Sequence, residues 1–151
     1  MFNLQTAAGW DALGAAWRVA ASNVDAACEI HGERERSAHE EAEAIGAPCD
    51  ADTFGAQRAR SAAIDAIKAR HGEPEAEALQ RATLEVEGAL MDEALSHRAP
   101  TLAAFMLKLD MVSARDNWGF NNFDPDTWPL FLADVRRFAL LKTTQKKEAR
   151  Q

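Results

Sequence analysis

Arg98-Ala-Pro-Thr-Leu-Ala-Ala-Phe-Met-Leu-Lys-Leu-Asp-Met-Val-Ser-Ala114 is the stretch whose reading decides the fold class. Arg98-Ala-Pro100 ends one helix, and Thr101 opens the next. Leu102, Phe105, Met106, Leu109 and Val112 then recur at spacings of three, one, three and three, the stripe of an α-helix and not the alternation of a strand. The break before Thr101 is short, so this helix and its predecessor are expected to form an antiparallel hairpin.

The same reading extends in both directions. Upstream, a helix from about Glu75 to His97 places Leu79, Ala82, Val86, Ala89 and Leu90 on one face, widened by Leu84, Met91 and Leu95. His71-Gly72-Glu73-Pro74 separates it from a helix over about Thr53 to Arg70, for which Asp52 is the expected N-cap. Gly46-Ala-Pro48 stops the first helix, which opens near Thr6 and runs as far as Ile45. Its first half carries Trp10, Leu13, Trp17 and Val24. Beyond Glu29 the stripe fades into charge and Gly32 weakens the helix, so a break or a solvent-projecting end is expected there. Downstream, Asp126 caps a last helix from about Thr127 to Leu141, with Leu130, Phe131, Val135, Phe138 and Leu141 inward. No segment alternates as a strand does. The expected fold is all-α: a four- or five-helix bundle with a long N-terminal helix and an aromatic-rich loop before the last helix. Residues 1–141 read as a single helical domain and 142–151 as a basic, frayed tail.

That loop, Asp116-Asn-Trp-Gly-Phe-Asn-Asn-Phe-Asp-Pro-Asp-Thr-Trp-Pro129, holds Trp118, Phe120, Phe123 and Trp128, in a chain with four Trp, seven Phe and no Tyr. Its Asn, Asp, Gly and Pro content forbids a continuous helix, so large rings sit on irregular backbone. They either plug the core or present a binding surface. Trp128, in the first turn of the last helix, suits the core. Trp118, Phe120, Asn121, Asn122 and Phe123 are the candidate partner-binding residues.

A chain of 151 residues fits one domain and can bury roughly 70% of its unfolded surface, with no need of disulfide or metal. Hydrophobic residues make up 47%, but alanine supplies much of that and buries little area, so the large side chains must carry the core. A net charge of −7 disfavours nucleic acid and anionic membrane surfaces as partners. Two cysteines in no motif, no leader-like N-terminus and no spanning apolar run point to a cytoplasmic protein.

Chemistry-bearing residues are sparse. Cys28, His31, Glu35 and His39 share one helical face and are zinc-compatible in type, but one helix alone does not close a tetrahedral site. No metal and no cofactor is expected, and no catalytic residue is assigned. Asn122, Asp124 and Asp126 alternate like the start of a calcium loop, yet Thr127 stands where glycine is required. Trp10, Leu13 and Trp17 lie along one stripe of a long helix and form a candidate dimer seam, against the plainer reading of internal core.

Two resemblances bear on function. Arg34-Glu-Arg-Ser-Ala-His39 is similar to the Arg-x4-His element of HEPN ribonucleases, which implies RNA cleavage by Arg34 and His39 in a cleft between paired subunits. Arg81-Ala-Thr-Leu-Glu-Val-Glu-Gly-Ala-Leu-Met-Asp92, Ala99-Pro-Thr-Leu-Ala-Ala-Phe-Met-Leu-Lys-Leu-Asp110 and Phe131-Leu-Ala-Asp-Val-Arg-Arg137 resemble small helical proteins of alphaproteobacteria, some in prophage-like regions. That resemblance covers the last half of the chain. It implies a bacterial cytoplasmic protein beside a mobile element and brings no activity. The leading expectation is a non-enzymatic helical protein-interaction module, a homodimer that binds another protein. The alternatives are a hydrolase or nuclease using Arg34 and His39, and an accessory regulator of nucleic-acid processes.

Overall fold

The computed structural model describes residues 2–46, 53–114 and 128–148, with 140–148 described as backbone only. The described residues form five α-helices and no strand: α1 (Ala7–Glu43), α2 (Phe54–His71), α3 (Glu73–Leu95), α4 (Leu102–Ala114) and α5 (Trp128–Glu148). The all-α expectation, with its long N-terminal helix, is what is observed. No described helix is long and apolar enough to cross a membrane. The chain divides into two compact units, Met1–Val19 with Val86–Gln151, and Ala20–Glu85.

Local chemistry sets most helix ends. Thr6 caps α1, accepting from the Gly9 N–H at 3.1 Å. Gly9 is required there, because a Cβ at this position would lie 1.9 Å from the Asn3 carbonyl oxygen. Thr53 caps α2 by accepting from Ala56 N at 3.2 Å, so the cap is Thr53 and not Asp52. Gly72 closes α2 in the left-handed region at φ 71°, which L side chains rarely adopt. Its N–H reaches the Ala69 carbonyl at 3.1 Å. Thr101 caps α4 through Ala104 N at 3.2 Å. The backbone of α5 continues to Glu148, past the Leu141 end that its apolar pattern suggested.

α1 passes through Gly32 without the expected break. Ala27 and Ala38, on either side of it, are each 2% exposed, and the Cys28 Sγ accepts from Gln80 Nε2 of α3 at 3.1 Å. Tertiary packing holds what local propensity alone leaves weak.

The large side chains gather in the first unit. Leu4, Trp10, Leu13 and Trp17 are buried there with Met91, Leu95, Phe105, Met111, Phe131 and Phe138. Trp10 Nε1 donates to the Leu4 carbonyl at 2.8 Å, folding the N-terminus back on α1. α1 runs close to α4: a Cβ on Gly14 would stand 2.9 Å from Leu107 Cδ2. Phe105 of α4 stacks on Phe138 of α5 at 5.1 Å and leans on Phe131 at 6.2 Å. Trp128, half-buried, meets Phe131 edge-on at 5.6 Å.

Two helices are rotated from the expected faces. On α4 the buried residues are Ala104, Phe105, Leu107, Lys108, Met111 and Val112, while Leu102 and Met106 are 51% and 48% exposed. On α3 the buried side is Ala76, Glu87, Met91, Ala94 and Leu95, whereas Leu79 and Val86 face outward. α4 is apolar around nearly its whole circumference, so periodicity gives it no firm direction. What orients it is a charge.

Lys108 has no exposed surface and Asp134 of α5 is 1% exposed; Lys108 Nζ meets Asp134 Oδ2 at 2.7 Å. Nζ also donates to the His97 carbonyl and lies 5.5 Å from the centre of the Trp10 ring. The same Asp134 oxygen accepts from Ala99 N at 3.0 Å, and Arg137 donates to the Ala99 carbonyl at 3.1 Å. The turn from α3 to α4 is thus satisfied by side chains of α4 and α5. Burial pulls the Lys108 ammonium below its ordinary value of 10.5, with Asp134 opposing it.

Removing one member of such a pair leaves the other charged and buried. Lys108→Met is expected to cost about 3–5 kcal/mol in urea unfolding. Lys108→Met combined with Asp134→Asn should lose less than the sum of the single changes, by on the order of 1–3 kcal/mol. Strictly additive losses would show that the two side chains are not coupled.

Candidate functional site

The second unit is built differently. Its buried hydrophobic side chains are Ala20, Ala27, Ala38, Ile67 and Ala76, and α2 buries Ile67 alone. Alanine fills little space, and helices that meet through it leave room beside them. Between the later half of α1, α2 and the start of α3 lies a cleft of about 900 Å3. Gly32, Ala38, Ala42 and Ile64 provide its apolar surface; Glu35, Arg36, His39, Glu43, Arg60, Lys68 and Glu73 provide charge.

The charged groups are not all satisfied. Lys68 Nζ meets Glu73 Oε1 at 3.0 Å. That hydrogen bond, and then the charges of Glu73, Asp65 and Glu35, raise the Lys68 ammonium above its ordinary value. Glu73 is 9% exposed, and its second oxygen, Oε2, is buried with no hydrogen-bond partner. Arg60 donates through Nε at 2.7 Å and through its guanidinium NH2 to the Gly46 carbonyl, holding the end of α1 against α2. His39 reaches Glu43 one turn on at 3.4 Å, with both side chains at least 70% exposed.

A second, shallower groove lies where Ile30 and Arg34 of α1 face Arg70, His71, Glu75 and Leu79. Glu41 clamps the end of α2 beside it, meeting His71 Nε2 at 2.7 Å and the Arg70 guanidinium. The His71 hydrogen bond, followed by the charges of Arg70 and His71, holds the Glu41 carboxyl below its ordinary 4.5. A carboxylate whose pKa is lowered by folding stabilises the fold above its unfolded value and loses that effect as pH falls. Glu41→Gln should therefore lower Tm slightly at neutral pH. The gap to the unaltered protein should close as pH drops below 4.5. Thermal unfolding followed by circular dichroism across pH checks this; a gap that persists in acid would contradict the clamp.

The residues singled out from the sequence fall in three groups. Trp118, Phe120, Asn121, Asn122 and Phe123 lie outside the described residues, as do Asp124 and Asp126. Trp10, Leu13 and Trp17 are 2%, 0% and 8% exposed, all within the chain's own core. A seam residue must have surface to give up on association, and within the chain itself these three have almost none. Arg34 and His39 are not brought together. Five residues along a helix turn through about 140° beyond one revolution. Accordingly His39 lines the larger cleft and Arg34 the shallower groove. Among the described residues no three of His, Cys, Asp and Glu are arranged to hold a metal ion.

Glu73 and Lys68 were not anticipated. Glu73-Pro74 read as turn chemistry, and nothing in a local pattern says that a first-turn carboxylate will be buried. Comparison with family models, curated proteins and solved structures gives no match.

Proposed function

We propose that the chain is a non-enzymatic helical interaction module that self-associates through the outward edge of α4. The observation that carries this reading is the exposure of Leu102 and Met106, one turn apart, at 51% and 48% on a helix whose other side is already packed. Large apolar side chains set one turn apart on an outward edge are ordinarily covered by a partner surface. A second copy of the same edge is self-complementary, as a two-fold contact requires. The aromatic segment Asp116–Pro129 supplies, on sequence grounds, a contact for another protein, with Trp118 and Phe120 as anchors. The bacterial cytoplasmic setting beside a mobile element belongs to the same proposal and rests on the resemblance of the last half of the chain.

Light scattering coupled to size exclusion tests the self-association. A dimer is expected, strengthened by salt because two chains of net charge −7 repel one another. Leu102→Asp with Met106→Asp should give a monomer of unchanged helicity, since neither side chain is buried in the chain itself. An unaltered protein that stays monomeric through a concentration series in high salt would overturn the reading.

A further inference from the structure

We propose that the cleft of the second unit binds a small organic cation, an ammonium group carried on an apolar body. The seat of the charge is Glu73. It is nine-tenths buried, lines the cleft, and has one oxygen committed to Lys68 while the other has no donor. A buried carboxylate oxygen left without a donor is costly, and the groups able to satisfy it are N–H and O–H donors.

The surrounding charge selects a cation among those donors. Lys68 is the one ammonium among the residues lining this end, and it feels the carboxylates of Glu73, Asp65 and Glu35 together. The Glu73 oxygen without a donor, set beside these carboxylates, is the point at which a cation's N–H would be held by a charge-assisted hydrogen bond. The Arg60 guanidinium, which also lines the cleft, is held by the Gly46 carbonyl and not by Glu73. The remaining surface suits the body of such a molecule. Ala38, Ala42 and Gly32 are small, Ile64 adds a larger apolar surface, and a Cβ on Gly32 would meet nothing within 4 Å. A cleft of about 900 Å3 is of the size that takes a drug-sized molecule. The site is independent of the α4 edge and of any self-association, since every residue it uses lies in Ala20–Glu85.

The test is an NMR titration of the full chain with benzylammonium, using benzyl alcohol and benzoate as probes of the same shape without the positive charge. Benzylammonium is expected to shift the Gly32 and Gly46 amides in a saturable way and to bind at least about tenfold more tightly than either control, as a charge-assisted hydrogen bond implies. Glu73→Gln keeps the shape of the side chain and should erase that preference. Gly32→Leu places a side chain in the cleft while leaving Glu73 unaltered, raises helix propensity, and should abolish binding of all three probes; it keeps the proposal testable if the Glu73 variant fails to fold. Equal binding of benzylammonium and benzyl alcohol, tighter binding of benzoate, or binding unchanged in Gly32→Leu would overturn the proposal.

Discussion

A lysine with no exposed surface is the constraint on which the first unit depends. An ammonium taken out of water is tolerable only with a counter-charge and a full set of acceptors. Asp134, the His97 carbonyl and the face of Trp10 provide these, and they come from α5, from the turn ahead of α4 and from α1. Satisfying one side chain therefore fixes three other pieces of chain. It also explains the orientation of α4. Phe105 and Lys108 are three residues apart and face the same way, so inserting the lysine seats the phenylalanine against Phe131 and Phe138 and leaves Leu102 and Met106 outward.

The two units solve the problem of burial by different means. The first has large rings, methionines and leucines around a paired charge. The second buries alanines and one isoleucine, and is tied at its periphery by Glu41 with Arg70 and His71, by Arg60 with the Gly46 carbonyl, and by Lys68 with Glu73. The exposed pairs of Glu41 with Arg70 and His71 contribute little each, with a median of about 0–1 kcal/mol. A core of small side chains held by polar ties leaves a concave surface with an unsatisfied carboxylate. That is why the candidate ligand site and the large buried side chains fall in different units.

Helix number, helix order and most breaks were legible in the sequence because they rest on local chemistry: Gly72 with Pro74, Ala99-Pro100, and threonines ahead of apolar runs. The buried faces of α3 and α4 were not. Leu79 with Val86, and Leu102 with Met106, form regular apolar stripes, yet the buried sides contain Glu87 and Lys108. Periodicity weighs hydrophobicity residue by residue and has no means of pairing a lysine with an aspartate 26 positions away. The continuity of α1 through Gly32 was hidden for a related reason, since its support comes from Gln80 and from the burial of Ala27 and Ala38. Of the candidate sites, the stripe Cys28, His31, Glu35 and His39 was visible as spacing, but the residue that gives the cleft its chemistry, Glu73, is contributed by another helix.

The claim that the Lys108–Asp134 pair organises the first unit bears most directly on one amide. Ala99 lies in a connection between helices, where an N–H ordinarily exchanges with solvent quickly, yet here it donates to Asp134 at 3.0 Å and the residue is wholly buried. Native-state hydrogen exchange should place the Ala99 amide among the slowest in the chain, opening only with global unfolding. Exchange at the rate of an open loop, while the amides of α4 and α5 stay protected, would contradict the account.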